Sequence, residues 1–470
     1  MKRYLVLLII FLTIVPSFEV SAQNNYHDRI NEYIRDAMDQ YQIPGAALTI
    51  IDGGEVLINE QWGALSNGEI ITDNTPFLTG SLSKPFTALA ILMLMEEGRI
   101  ELEQSIDTYL PEFQYAAPHE NKITVYHLLR QTSGIAQYDG LKVTDRDNFK
   151  NWDIAAAVRE LSGVKLAHSP GEKYEYNSAN YLLLGRIVEN VSGTDYDEYV
   201  INHIFKPLDM NHTGANAEQV RKLNLIAGFE SWFGKPVKSK FLYDQAGAPY
   251  GYIVSTANDL TKFLTFLLEG NKNIISEEGM KLFTSLPEDG NSYGIGWHFN
   301  EEGRFLFHGG ATRDYRAEMY FRPEIHQAAI LLTNKYHSLE DPQVYFMMNG
   351  IRDLLIHDHT DALPEQSHLF QWILLAIIFF LVILAIMRIM RKNQTKKRYL
   401  SYIFSSMFLF IAIGAIPMIV MTQQIPWRSF QIFAPDLAFL VYSLMFLFLL
   451  HAVIPLKFFF SKDKSSSTAN

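Results

Sequence analysis

The chain contains no cysteine. That absence excludes zinc–thiolate sites, iron–sulfur clusters, thiol catalysis and disulfide bonds. A domain exported without disulfides has to be held by its core alone. Positive charge is also scarce: 40 Lys and Arg against 51 Asp and Glu leave a formal net charge of -11. The one long basic run lies near residue 391, so no nucleic-acid partner is expected. Internal repeats are missing, and the only biased stretch is the polar end "SSSTAN". No cofactor and no metal is expected.

Long apolar runs are plentiful at both ends. Met1 to Ala22 opens with Lys2 and Arg3, runs through "YLVLLIIFLTIV" and closes with "VSA", the three-part layout of an export signal. Near the other end come Leu369–Met387, Leu400–Thr422 and Leu437–Leu456, each long enough for a bilayer core. "RIMRKNQTKKR" (Arg388–Arg398) separates the first two, and Lys457, Lys462 and Lys464 follow the third. Basic loops stay cytoplasmic, which places the long middle region outside. Trp372 and Trp427 stand near span ends, as interfacial aromatics do. The expected layout is a signal over 1–22, an outer domain over 23–365, a three-helix membrane region over 366–458 and a polar cytoplasmic tail over 459–470. A multi-pass protein of the cell membrane follows, with the bilayer as one partner.

Within the outer region, "HDRINEYIRDAMDQYQI" spaces Ile30, Ile34, Ala37, Met38 and Tyr41 along one helical face. "GAALTIIDGGEVLINEQWG" reads as two strands joined at Asp52-Gly53-Gly54. Helical patterns dominate the middle, as over Phe86–Glu97 and Tyr181–Val191. Strand patterns return between Arg304 and Asn334 as "RFLFHGG", "RAEMYFRP" and "QAAILLTN", before a closing helix over Gln343–Asp358. Strands at both ends with helices between predict an α+β fold: an antiparallel sheet assembled from distant segments, flanked by helices, with a helical insertion.

The chemistry starts at "TGSLSKPFTALAI", where Ser81 and Lys84 lie three apart at the mouth of an apolar run. Residues three apart share a helix face, and Pro85 fits only a first helical turn. Ser81 therefore belongs at a helix N-terminus, which favours an attacking oxygen. Serine needs a base within hydrogen-bond reach, and lysine serves only if burial or a neighbouring cation lowers its pKa by several units. Ser-x-x-Lys also occurs at Ser162/Lys165 and Ser461/Lys464, so the pair alone proves nothing.

Six segments in order carry more weight. "GSLSKPFTALAILMLMEEGRIELEQSIDTYLP", "ITVYHLLRQTSGI", "SPGEKYEYNSANYLLLGRIVENVSG", "GYIVSTANDLTKFLTFLLEG", "YGIGW" and "HGG" together resemble the serine beta-lactamase and penicillin-binding-protein-like hydrolases, in the class C, D,D-peptidase and esterase branch. The resemblance covers roughly residues 27 to 360. It implies that Ser81 is the acylated nucleophile, Lys84 its proton partner and Tyr176 the general base. It also implies that Ser178 and His308 contact substrate, and that Gly309 and Gly310 lead to Ala311, whose backbone N–H joins that of Ser81 in an oxyanion hole.

Two departures stand out. Ser178 occupies the usual place of an asparagine, with Asn177 and Asn180 nearby to compensate, and His308 replaces a lysine. Tyr315 and Arg316 either line the cleft or are ordinary strand residues. The implied activity is that of a serine hydrolase working through an acyl-enzyme on a cell-wall peptide, a D-amino-acid ester or amide, or a related small molecule. The alternative is a penicillin-recognising or wall-binding protein with little turnover.

Overall fold

A computed structural model describes residues 26–118, 121–147, 152–287, 290–300, 305–357, 359–390 and 398–466. The expected export signal, most of the basic loop after Arg388 and the end of the tail lie outside these residues. The chain forms two compact units, a larger one ending at Glu365 and a smaller one holding Gln366 onward together with Ser231–Lys235.

The larger unit is built on a six-stranded antiparallel sheet. Its strands are β1 (Gly45–Asp52), β2 (Glu55–Gly63), β3 (His298–Phe299), β4 (Leu306–Ala311), β5 (Arg316–Arg322) and β6 (Gln327–Thr333), in the spatial order β2-β1-β6-β5-β4-β3. β1 and β2 turn at Gly53 and Gly54, with φ of 60° and 86°. Glycine reaches that left-handed region without steric cost. The first and last segments meet in mid-sheet, where Ala46 faces Thr333 and Ile51 faces Ala328.

One face of the sheet is closed by the helix over 26–41 and the helix Pro342–His357. Ile30, Ile34, Ala37, Met38 and Tyr41 supply the first helix's apolar stripe. They form one core with Leu48 and Ile50 of β1, Leu331 of β6, and Met347 and Ile351 of the closing helix. Each such side chain contributes about 1.5–3 kcal/mol when fully buried.

The helix Ser83–Glu96 has a different character. Every residue from Ser83 to Leu94 is buried, on all sides. Phe86 stacks on Phe263 at 4.2 Å and meets Phe205 edge-on at 5.6 Å. A helix enclosed all round shows no amphipathic stripe, and Lys84 on it is 0 % exposed.

Among the described residues, the smaller unit contains three helices long and apolar enough to cross a membrane, Leu369–Met390, Ile403–Val420 and Pro435–Ile454. Leu381, Leu444 and Leu447 pack between the first and third. Arg388 reaches His451 Nδ1 at 3.2 Å, and His451 Nε2 lies 2.9 Å from the Leu381 carbonyl oxygen.

Candidate active site

The chain enters the buried helix through a tight turn, Gly80–Leu82. Gly80 has a φ of 56°, and a Cβ there would lie 2.2 Å from the Ala311 nitrogen. A Cβ on Gly310 would lie 1.9 Å from the Thr79 oxygen and 3.0 Å from the Ser81 nitrogen. Two glycines thus let the nucleophile turn lie backbone-to-backbone against the end of β4. That brings the amides of Ser81 and Ala311 into one neighbourhood, as two donors for an oxyanion require. β3 meets β4 at Leu306 and Phe307, and the strand from His308 onward is edged by this turn instead.

Ser81 keeps part of its surface exposed while Gly80, Leu82, Ser83 and Lys84 are buried. The Lys84 amine sits among three oxygens: Ser81 Oγ at 2.9 Å, Ser178 Oγ at 3.4 Å and the Tyr250 carbonyl at 2.8 Å. No carboxylate is among these three. Burial lowers its pKa to about 7, and the charge of Asp145 opposes that shift. Tyr176 places its ring centroid 4.8 Å from the amine. Burial raises the Tyr176 phenol, against the opposing hydrogen bond from Ser81. Near neutral pH the group with a lowered affinity for its proton is therefore Lys84, and the tyrosine stays a phenol.

Asn177 caps the helix Ser178–Ser192 through a bond from Ala179 N–H, and its amide donates to the Ile135 and Ala136 carbonyls. Asn180 bonds Gln131 and Ser133. Both asparagines are consumed by the framework, so neither compensates for the amide missing at Ser178. The "LLRQTSGI" segment supplies those framework partners, and Arg130 donates to the Tyr293 carbonyl and the Tyr126 hydroxyl.

His308 is 2 % exposed, with Nδ1 2.6 Å from the Gly309 oxygen and Nε2 3.3 Å from the Tyr293 hydroxyl. Burial holds its pKa well below the usual imidazole value, with the positive neighbourhoods of His298 and Lys84 acting in the same direction. His298, one residue past "YGIGW", lies 5.0 Å from His308 and stacks on Tyr176 at 6.0 Å. Burial, then Lys84, lowers it to about 4. Tyr174 and Tyr293 complete an aromatic wall, 6.1 Å between ring centroids. Tyr315 donates to the Ile226 carbonyl, and Arg316 is paired with Glu318 and Asp341 at 3.1 and 3.2 Å. These two residues serve the frame around the β4–β5 turn.

The structure therefore gathers Ser81, Lys84, Tyr176, Ser178, His308, Gly309, Gly310 and Ala311 into one region. The sequence reading missed His298, Tyr293 and the Tyr250 carbonyl. For His298 the signal was adjacency to a quoted motif. A backbone oxygen leaves no signal in side-chain pattern.

An antiparallel α+β domain with a serine and a buried lysine at the head of its central helix is the architecture of the serine beta-lactamases and penicillin-binding proteins. The sequence pattern of the beta-lactamase family matches residues 30–347. The chain belongs to that family of serine hydrolases, which includes carboxypeptidases, esterases and amidases. Protein flp of Staphylococcus aureus is 29 % identical over 320 residues, 66 % of this chain and 64 % of that protein's length. The octameric penicillin-binding protein homologue from Pyrococcus abyssi is 26 % identical with a TM-score of 0.60, over 74 % of this chain and 81 % of that one. EstCE1, a hydrolase with promiscuous acyltransferase activity, shares the fold with a TM-score of 0.62 at 18 % identity, over 70 % of this chain and 99 % of that one.

Proposed function

We propose that the protein is a membrane-anchored serine hydrolase that forms an acyl-enzyme on Ser81, with its catalytic domain outside the cell. The observation that carries the reading is the buried Lys84 amine, 2.9 Å from Ser81 Oγ and lowered to about 7. Neutral Lys84 takes the Ser81 proton as Oγ bonds to the acyl carbon. The backbone amides of Ser81 and Ala311 hold the resulting oxyanion. The protonated Tyr176 phenol, hydrogen-bonded to Ser81, relays a proton to the departing alcohol or amine as its bond to carbon breaks. Water then adds to the acyl-enzyme, its proton returns through Lys84 to Ser81, and the acid leaves.

The substrate is an uncharged acyl ester or amide, with D-amino-acid and cell-wall-derived derivatives included. Arg130 and Arg316 are both engaged in the frame, and His308 and His298 are neutral at pH 7. A terminal carboxylate therefore meets aromatic rings where a fixed cation would be needed. The test is covalent labelling by a fluorescent fluorophosphonate. Labelling of wild type that is lost in Ser81→Ala supports the enzyme, and an unlabelled wild type defeats it.

The three apolar helices serve as the anchor, with the basic loop after Arg388 in the cytoplasm. The chain lacks cysteine, so single introduced cysteines report their side of the membrane. An impermeant reagent on intact cells should label position 60 and spare position 394. The reverse pattern overturns the orientation.

A further inference from the structure

The Lys84 amine has a partner that no motif announces, the Tyr250 carbonyl oxygen at 2.8 Å. Tyr250 is pinned by its own side chain. Its phenol donates to Asp244 Oδ2 at 2.5 Å and accepts from the Asp145 N–H at 3.1 Å. Asp244 is fully buried and gathers three further donors: Arg146 N–H at 3.0 Å, Ala246 N–H at 3.0 Å and Trp152 Nε1 at 3.1 Å. The segment around Tyr250 is also tied to the nucleophile helix on both sides. Thr87 donates to the Pro249 carbonyl at 2.7 Å, and the Ile253 N–H donates to Ser83 Oγ at 3.1 Å.

The geometry matters because of what a neutral amine can do. A protonated lysine has three donors and no acceptor. Once neutral it has two N–H groups and one lone pair, and catalysis requires that lone pair to face Ser81. Of the three oxygens around Lys84, the Tyr250 carbonyl can only accept, so it holds one N–H. Ser178 Oγ takes the second, and the lone pair is left for the Ser81 hydroxyl. If the carbonyl moves, the amine can turn an N–H toward Ser81 and cease to be a base.

We propose that Asp244 and Tyr250 form a positioning device for Lys84, fixing the carbonyl that aims the amine's lone pair at Ser81. The proposal rests on Lys84 being the base. Neither side chain touches the reacting atoms. The Asp244 carboxyl is raised to about 6 by burial, against its hydrogen bond from Tyr250, yet four donors converge on it. The titratable groups facing the Lys84 amine are Tyr176, Tyr181, Asp145, His298 and His308. Of these, the Tyr250 side chain touches Asp145, through the backbone N–H of that residue, and Tyr252, bonded to the Asp145 carboxylate, serves as the control for that route.

The full chain in detergent, the fluorophosphonate labelling rate and its pH dependence give the test. A carbonyl acceptor favours the ammonium form, so releasing it lowers the Lys84 pKa. Tyr250→Phe should cut the maximal labelling rate about tenfold and move the half-rise of the profile down by about half a pH unit or more. Tyr252→Phe deletes the same atom from a neighbouring phenol that bonds Asp145 at 2.9 Å. It should leave the half-rise in place. Should Tyr250→Phe fail to fold, Asp244→Asn preserves the volume and should show the same downward movement. An unmoved half-rise in a folded Tyr250→Phe, or in Asp244→Asn where that is the variant that folds, overturns the proposal. So does an equal movement in Tyr252→Phe. An unlabelled wild type instead removes the hydrolase reading, and the proposal falls with it.

Discussion

Lys84 and Lys335 are both withdrawn from solvent, 0 % and 4 % exposed, and their surroundings differ in one respect. Lys335 lies 2.8 Å from the Glu340 carboxylate and 2.7 Å from the Tyr41 carbonyl. Lys84 has hydroxyls and a carbonyl within reach, and the opposing charge of Asp145 acts on it through space. Burial of a cation is costly unless a counter-charge accompanies it. The fold supplies one beside β6 and withholds it at the head of the central helix. The same residue type is thereby a structural tie in one place and a candidate base in the other.

The largest separation of the two should come from activity. Lys84→Ala should lower turnover of a neutral ester by about a thousandfold or more with a native circular dichroism spectrum. Tyr176→Phe should lose less, and the Ser81/Lys84/Tyr176 triple alanine variant should be scarcely worse than Lys84→Ala, because groups acting as one unit are not additive. Near-normal turnover in Lys84→Ala would erase the distinction between the two lysines.

Stability should separate them in the opposite sense. Lys335→Met removes the cation 2.8 Å from the buried Glu340 carboxylate and should cost about 3–5 kcal/mol in denaturant unfolding. Lys84→Met removes an uncompensated buried amine and should stabilise the fold by roughly 1–3 kcal/mol at pH 6. Its folded pKa is below the unfolded value, so between about 7 and 10.5 the unfolded chain binds the extra proton. Wild-type stability therefore rises with pH through that window, and the advantage of Lys84→Met should fade toward its upper end. A gain that is constant with pH would assign the effect to packing.

A pH profile sharpens the same contrast. The base form of Lys84 exists above its pKa, so kcat/KM should fall as pH drops through about 7. An acid limb nearer 4 would point to a carboxylate or to His298 in place of Lys84.

The smallest effect concerns His308. From its reference pKa near 6.5, lowering the pH from 7.5 to 6 should charge it and favour carboxylate substrates. Its burial reverses that expectation: held well below the usual value, it stays neutral across this interval. The ratio of carboxylate-terminated to neutral substrate turnover should then be unchanged between the two pH values, and His308→Lys should raise it several-fold. A ratio that climbs on acidification would show an imidazole more exposed than the structure gives.

Much of this was legible in the sequence, for definite reasons. The stripe Ile30, Ile34, Ala37, Met38 and Tyr41 has a periodicity that only a one-sided helix satisfies, and all five residues are core. Glycines at 53 and 54 announced the hairpin. Ser81, Lys84, Tyr176 and His308 came from short motifs whose order along the chain could be checked. Protonation states were not legible, since they depend on enclosure by residues far away in sequence. The resemblance assigns the base to Tyr176, whereas burial lowers the lysine's affinity for its proton and raises the tyrosine's, which is why Lys84 is proposed for that role. Asp244 was invisible for the same reason: its donors come from Arg146, Trp152, Ala246 and Tyr250, which share no spacing.

The meeting of β1 with β6 governs how the molecule can be made. Gly45–Asp52 finds one of its two neighbours only in Gln327–Thr333, so the sheet cannot close until the domain is almost fully synthesised. At roughly 5–20 residues per second, the first hairpin waits on the order of tens of seconds with one apolar edge unpaired. Contacts of such long sequence separation also slow the final collapse. Folding would then begin with the helical middle and finish with the sheet, and the early strands would need shielding until the last ones emerge.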